Sequence, residues 1–177
     1  MSELLDILTS NGDYTGKTAT RNQCHSDGYY HRGVVIFVIH PDTKQVLLQQ
    51  RSHQKKLWPD LWDITAGGHV NAGEFGFETA IREAKEEIGL DLKPDDLICI
   101  GANTSENLAP GITDRHFNEF FVTRKNIDIV NLSLQTEEVQ NIKWFAPEEI
   151  KTRVQNNFDG LVTKSGCWER IIRYLER

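Results

Sequence analysis

Residues 68–90 constrain the possible fold and chemistry of this chain more than any other segment does. They read GHVNAGEFGFETAIREAKEEIGL, with the skeleton G-x5-E-x7-R-E-(apolar)-x-E-E-x-G-(apolar). Residues 75–88 contain no proline, and Gly89 is a suitable left-handed terminator, so the segment predicts a helix over 75–88. At about 100° per residue, one helix face is apolar: Phe77, Ile81, Ala84 and Ile88. The roughly opposite face carries carboxylates: Glu83, Glu86 and Glu87.

Three carboxylates on neighbouring turns repel one another, so this face needs positive charge nearby. Such a group of oxygen ligands suits Mg2+ or Mn2+, which bind through a few carboxylates, water and substrate phosphate. The pair Gly67-Gly68 permits the close backbone approach that a metal or phosphate site requires. On a continuing helix Glu74, nine residues before Glu83, would point the opposite way, so we expect it in the loop or the first turn. The alternative is a solvated acidic face, the commoner origin of a glutamate run.

Length and composition predict a single domain over residues 1–177. The formal net charge of −6 argues against general affinity for nucleic acids or anionic membranes. Cys24, Cys99 and Cys167 form no C-x-x-C pattern, so neither a disulfide framework nor a structural zinc site is expected. The amino-terminal segment has neither a basic start nor a long apolar run. We therefore expect no signal peptide, no membrane span and a cytoplasmic location.

Apolar, β-branched runs predict strands on both sides of the helix. They lie at residues 4–8, 17–20, 34–39, 46–51, 62–66, 97–103, 117–123 and 139–145. Short helices are expected from Pro147 and over residues 167–175. Residues 103–116, which contain Pro110-Gly111, read as a loop over the site. This order predicts an α/β sandwich with a mixed central β-sheet.

The pattern of residues 68–90 resembles the signature of the Nudix hydrolases, with every fixed position present. The resemblance implies a Nudix-type α/β/α sandwich that hydrolyses a diphosphate linked to another group, with Mg2+ or Mn2+ as the main catalyst. It implies metal ligation by Glu83, Glu86, Glu87 and the Gly67 carbonyl. Arg82 would orient Glu83, and Glu74 would steady the loop. The general base is left open between these carboxylates and a later one, the candidates being Glu119, Glu137 and Glu138.

Sequence outside this segment resembles one branch of the superfamily, the type I isopentenyl diphosphate isomerases and their hydrolase relatives. The similar runs are HRGVV at 31–35, VLLQQRS at 46–52, KLWP at 56–59 and AGGH at 66–69. This resemblance implies that Arg51 and Lys55 grip the substrate diphosphate beside Gly68 and His69. It also implies histidine metal ligands, at His25, His31 and His69. The alternatives are surface cations and histidines that only form ordinary hydrogen bonds.

Two departures favour hydrolysis over isomerisation. The isomerases need an acid–base pair across the alkene, including a cysteine just before the Gly-His pair, and here that position is Gly67. Of the two later glutamates of the isomerases, one is matched with Glu119, whereas the other falls at Phe117, which cannot bind metal. Because the glutamate segment itself is complete, we expect a hydrolase. A diphosphate isomerase and a non-catalytic nucleotide-binding sensor are the alternatives.

The expected substrate is a nucleoside diphosphate or a derivative, since hydrolase relatives of this branch act on such small pyrophosphates. Four aromatic side chains could stack on a base or simply pack in the core: Trp58, Trp62, Tyr29 and Tyr30. The expected partners are thus a small diphosphate, no nucleic acid and no membrane, with a homodimer left open.

Overall fold

The computed structural model describes residues 3–109, 112–163 and 166–177. The strands are β1 (Leu4–Leu8), β2 (Tyr14–Thr20), β3 (Tyr30–Ile39), β4 (Val46–Arg51), β5 (Trp62–Asp63), β6 (Ala66–His69), β7 (Ile98–Ala109), β8 (Ile112–Arg124) and β9 (Val139–Phe145). The helices are α1 (Arg21–Asp27), α2 (Gly76–Ile88), α3 (Pro147–Gln155) and α4 (Cys167–Leu175). Short 3-10 turns occupy Pro94–Asp96 and Ile129–Asn131.

Strand β3 organises the sheet. It pairs antiparallel with β1, β4 and β6 and parallel with β8. Strand β4 extends the sheet to β5 and β9, and β7 pairs with β8. Within the described residues, nine strands form this one mixed sheet. The mixed α/β architecture predicted from the sequence is confirmed.

Both faces of β3 are buried because helices cover both sides of the sheet. Val35, Phe37 and Ile39 point to a core that contains Trp168 of α4 and Ile150 of α3. The alternate residues of β3 point the other way, toward Ala80, Ala84 and Ile88 of α2. Since side chains alternate along a strand, a continuous apolar run is what a strand between two helical layers requires.

Helix α2 begins and ends close to the expected positions, and Gly89 adopts the left-handed conformation, with φ of 71°. The expected apolar face needs one correction, because Phe77 is 38% exposed and stacks on Phe75 instead of entering the core. Ala80 is fully buried in its place. None of the helices in the described ranges is long and apolar enough to cross a membrane.

The expected loop over residues 103–116 is wrong. Described residues on both sides of it form the antiparallel pair β7–β8, with Asn103 opposite Asn118 and Asn107 opposite Asp114. Pro110 and Gly111 lie outside the described residues. The expected strand over 62–66 is divided into β5 and β6. The polar β7–β8 pair joins the sheet through the parallel pairing of β8 with β3, a long-range contact that local sequence does not reveal.

Helix α1 was not expected from the sequence, although a local signal for it exists. The Thr20 side chain accepts a hydrogen bond from the Gln23 amide at 3.3 Å, and the Gln23 side chain accepts one from the Thr20 amide at 3.0 Å. This capping box satisfies two amides at the helix start. Gly28 ends the helix with φ of 69°. The helix places His25 beside the sheet.

Candidate active site

Glu83 lies directly against the backbone of Gly68. A Cβ atom added to Gly68 would lie 2.2 Å from Glu83 Oε1, a distance that no side chain can occupy. A side chain at residue 68 would therefore displace the Glu83 carboxylate from strand β6. This is the close backbone approach that the Gly67-Gly68 pair predicted.

Glu87 lies on the same side of α2 and is 7% exposed. Its Oε2 accepts hydrogen bonds from the Gly67 amide at 3.2 Å and from Gln49 Nε2 at 3.2 Å. Gln49 was not singled out in the sequence. It is buried on β4, and only the pairing of elements distant in sequence brings it to the glutamate.

Arg82 is the cation among the carboxylates of this site. Its Nη1 donates to Glu83 Oε1 at 2.7 Å and to Glu86 Oε2 at 3.2 Å. Its Nε donates to Glu74 Oε1 at 3.3 Å. Burial alone would lower the pKa of Arg82, but the hydrogen bond to Glu74 and the charge of Glu83 raise it. The guanidinium thus stays charged and links the loop to the helix.

Glu74 also holds its own loop in place. Its Oε2 accepts a hydrogen bond from the Asn71 amide at 3.2 Å. With Arg82 on the other side, this contact fixes the segment between β6 and α2. The expected position of Glu74 in the loop agrees with the structure.

The charge balance of this group suits a divalent cation. Burial raises the pKa of Glu83, and the charge of Arg82 opposes that rise. Glu74, Glu83 and Glu86 share the one guanidinium of Arg82. A cation bound by Glu83, Glu86 and Glu87 would balance the excess negative charge, and these oxygens match the preferences of Mg2+ and Mn2+.

A second group of ligand-type side chains lies in the same cavity region. One nitrogen or oxygen from each of five residues lies within 4.8 Å of all the others; the residues are His25, His31, His69, Asp114 and His116. Asp114 Oδ1 lies 2.8 Å from His116 Nε2 and 3.3 Å from His25 Nε2. We refer to these five residues as the histidine cluster.

Three buried atoms of the histidine cluster lie close together without meeting the angular criteria of a hydrogen bond: Asp114 Oδ1 is 2.8 Å from His116 Nε2 and 3.5 Å from His31 Nε2. Buried polar atoms are nearly always paired, so this set requires an explanation. Burial lowers the pKa of His31 to about 4 and lowers that of His69 as well. For Asp114 burial opposes ionisation, but the nearby imidazoles outweigh it and lower the pKa to about 2. Neutral imidazoles and an ionised carboxylate are the forms that bind metals.

Glu119 and Phe117, the two residues matched with the later glutamates of the isomerases, both lie outside the histidine cluster. Glu119 forms an ion pair with Arg32 beside Gly76, at the start of α2. Phe117 packs on Tyr30 with ring centroids 5.4 Å apart. Asp114 and His116 complete the cluster instead. Their D-x-H spacing on a strand was the available signal, because residues two apart share a face.

Arg51 and Lys55 both line a cavity of about 1230 Å³ that also contains the glutamates of α2 and part of the histidine cluster. Each is paired with an acid: Arg51 with buried Asp63 at 3.1 Å, and Lys55 with Glu138. Glu137 lines the cavity as well. The structure thus brings the proposed phosphate-binding cations and the candidate later carboxylates of residues 137–138 into one site.

Gly67 has no room for a side chain. An added Cβ would lie 2.5 Å from the Val34 carbonyl oxygen and 2.7 Å from Ile64 Cδ1. A cysteine at this position would require the backbone of β3 or β6 to move. The site therefore lacks a proton donor at residue 67 for structural reasons as well as by sequence.

Comparisons with known proteins agree with this geometry. The family model described as the NUDIX domain matches residues 29–164. The chain is 35% identical over 153 residues to Nudix hydrolase 3 of Arabidopsis thaliana, covering 84% of this chain but only 20% of that protein. It is 30% identical over 161 residues to an uncharacterized Nudix hydrolase of Clostridium acetobutylicum, covering 90% of this chain and 77% of that one.

Solved structures show the same fold. A protein from Deinococcus radiodurans superposes with a TM-score of 0.72 at 21% identity, over 99% of this chain and 100% of that chain. The Escherichia coli dihydroneopterin triphosphate pyrophosphohydrolase superposes with a TM-score of 0.59 at 22% identity, over 81% and 94% of the two chains.

Proposed function

This chain belongs to the Nudix hydrolase family, and from that premise we propose that it is a Mg2+- or Mn2+-dependent pyrophosphohydrolase. Its substrate would be a nucleoside diphosphate or a derivative, cleaved by water attack on phosphorus. The observation that carries the proposal is the gathering of Glu83, Glu86 and Glu87 against the Gly67-Gly68 backbone, with Arg82 as their cation.

Each residue of this group has a proposed task. Glu83, Glu86 and Glu87 hold the metal, with the Gly67 carbonyl as a further oxygen ligand. Such a metal supplies a bound water of lowered pKa and offsets charge on the phosphate. Arg82 orients the Glu83 and Glu86 carboxylates, and Glu74 keeps Arg82 and the loop in position. One of the metal-binding carboxylates, or Glu137 or Glu138 across the cavity, accepts the proton of the attacking water.

Arg51 and Lys55 are the proposed diphosphate-binding cations, with Gly68 and His69 beside them. Arginine binds phosphate through two parallel hydrogen bonds, and Asp63 already orients the Arg51 guanidinium. Glu138 balances the charge of Lys55 until an anionic substrate enters the cavity.

The histidine cluster is proposed to hold a second, transition-metal ion. Four imidazoles with one carboxylate suit zinc, manganese or iron better than magnesium. The proximity of the ligand atoms, together with the poor hydrogen-bond geometry among buried His31, Asp114 and His116, supports this assignment. We also propose a cytoplasmic location, because the three cysteines are odd in number, far apart in the sequence and in no C-x-x-C pattern.

A phosphate-release screen with purified protein tests the activity. The panel holds nucleoside di- and triphosphates, nucleoside diphosphate sugars, dinucleoside polyphosphates, coenzyme A and isopentenyl diphosphate, each with Mg2+ or Mn2+. Glu87→Gln is the inactive comparison, and Glu148→Gln, on the exposed start of α3, is the control. Metal-dependent release by the native protein and Glu148→Gln, but not by Glu87→Gln, is the expected result.

The other two functions predict different outcomes. A sensor would bind a nucleotide without cleaving it, although the intact glutamate set favours cleavage. An isomerase would convert isopentenyl diphosphate without releasing phosphate, which the closed space at Gly67 disfavours. If the native protein releases phosphate from none of the substrates in the panel, the hydrolase proposal is contradicted.

A further inference from the structure

The four aromatic side chains that the sequence offered for stacking differ in their surroundings. Trp62 packs edge-on against Phe145 in the core, with centroids 4.8 Å apart. Tyr30 packs on Phe117 with the Arg115 guanidinium over its ring. Of the four, in the part of the chain that the structure describes, Trp58 alone lines the cavity that contains Glu83, Glu86 and Glu87.

The backbone of Trp58 is strained. Its φ is 53°, a left-handed conformation that bulky side chains rarely adopt. Pro59 follows it, and a proline restricts the preceding residue to extended conformations. Conformations of this kind persist only where the surroundings enforce them, and they cluster at ligand-binding sites.

The residues on either side of Trp58 provide that enforcement. The Leu57 carbonyl accepts a hydrogen bond from Arg51 Nε at 3.1 Å. After Pro59, the Asp60 amide donates to the Arg51 carbonyl at 3.2 Å, and the Asp60 carbonyl accepts from Gln50 Nε2 at 2.9 Å. The Asp60 carboxylate accepts from Gln140 at 2.9 Å. The indole is thus held at the cavity wall by contacts that do not involve its ring.

The same loop supplies cations to the cavity. Lys55 and Lys56 line it together with Trp58, and Arg51 lies at the preceding strand end. Positive side chains and a tryptophan lining one cavity match a ligand that joins a diphosphate to a planar ring. The volume of about 1230 Å³ is sufficient for both parts.

We propose that Trp58 is a specificity-determining residue that stacks on the heteroaromatic base of a nucleoside diphosphate group in the substrate. This inference rests on the proposed function and narrows its substrate class. Loss of a stacked base typically weakens binding about 5- to 100-fold. The loss should affect ligands that carry a base and spare those that carry only the diphosphate.

The test compares two non-hydrolysable ligands, α,β-methylene-ADP and methylenediphosphonate, by calorimetric titration with Mg2+. Trp58→Phe keeps a ring, whereas Trp58→Leu removes it. Trp58→Asn removes the ring and also relieves strain, since asparagine tolerates positive φ. Trp144→Leu is the control, because Trp144 packs on His40, outside the residues that line the cavity.

The expected result is a 5- to 100-fold weaker affinity for α,β-methylene-ADP in Trp58→Leu and Trp58→Asn. Trp58→Phe should lose less, and affinity for methylenediphosphonate should stay within about twofold in all variants. Trp58→Asn should keep or raise the melting temperature while it weakens binding, which a purely structural tryptophan would not do.

Two outcomes would overturn the inference while leaving a diphosphate hydrolase in place. One is an equal loss for both ligands, which would make Trp58 a loop-shaping residue. The other is native protein that binds methylenediphosphonate as tightly as α,β-methylene-ADP. Native protein that binds neither ligand with metal would instead contradict the proposed function, and this inference with it.

Discussion

Gln49 Nε2 donates a hydrogen bond to Glu87 Oε2 at 3.2 Å, joining strand β4 to the last turn of α2. The Gly67 amide donates to the same oxygen. Both donors restrict the rotation of the carboxylate. Outer hydrogen bonds of this kind typically affect metal affinity or activity 10- to 100-fold.

Gln49→Leu is therefore expected to raise the Mn2+ dissociation constant about tenfold, because the Glu87 carboxylate loses the hydrogen bond from Gln49. Electron paramagnetic resonance of free Mn2+ measures this binding without substrate. Gln45→Leu, at the turn between β3 and β4, is the control. If Gln49 acts through Glu87, adding Gln49→Leu to Glu87→Gln should cause no further loss; a full additional loss would contradict the link.

Glu87→Gln is expected to lower the turnover number about 10²- to 10³-fold, since the proposed mechanism uses the Glu87 carboxylate as a charged metal ligand. The fold should remain intact, because glutamine preserves size and can still accept from Gly67. Steady-state phosphate release and circular dichroism provide the measurements. A large loss of thermal stability in the metal-free variant would show instead that Glu87 serves mainly to hold the fold together.

If the histidine cluster holds a metal as proposed, Asp114→Asn is expected to deplete it, because the one carboxylate of the cluster becomes neutral. Elemental analysis of purified protein should find about one transition-metal ion per native chain and much less in the variant. A chelator should lower the melting temperature of the native protein and leave that of Asp114→Asn nearly unchanged, since binding to the folded state stabilises it. His53→Ala removes a surface imidazole, 83% exposed, and should retain the metal. Native protein without a transition metal, even after incubation with Zn2+ or Mn2+, would refute the assignment.

Gly68→Ala should mainly impair metal binding and turnover, whereas Gly67→Ala should mainly lower stability. At Gly68 the new methyl group meets the Glu83 carboxylate, so metal binding and turnover should fall more than stability. At Gly67 it meets the Val34 backbone, so the main effect should be a loss of about 1–3 kcal/mol in the free energy of unfolding. Chemical denaturation and Mn2+ titration of both variants separate the two effects. If both variants lose the same amount of stability and the same amount of Mn2+ affinity, this distinction is contradicted.

Gly67→Cys should not create isomerase activity. The added side chain must displace the strand backbone, so the thiol would not reach a productive position, and the protein should be destabilised. An assay for the allylic product of isopentenyl diphosphate provides the readout. Detectable product would restore the isomerase alternative.

Local sequence was sufficient for α2 because its determinants lie within a few residues of one another. The absence of proline, the helical spacing of Ala84 and Ile88, and Gly89 at the end all act within single turns. The positions of Glu83 and Glu87 follow from that helix. Phe77 was misplaced because spacing identifies a face but not the neighbour that covers it.

The histidine cluster could be only partly predicted. His25, His31 and His69 came from a resemblance, but Asp114 and His116 were missed because their segment read as a polar loop. The segment that contains them forms strand β8 because it pairs with β3, in a register that places His31 beside His116. A shift of one residue would turn both side chains of β8 to the other face.

The sequence by itself thus determined the family, the mixed α/β class and the glutamate helix, since these depend on local periodicity and fixed spacing. Tertiary structure alone decided which cations, amides and imidazoles surround them. Gln49 reaches Glu87, Trp58 reaches the cavity and Asp114 reaches three histidines through the packing and register of elements far apart in the chain. Those contacts depend on long-range burial and strand pairing, whose energies no local pattern encodes.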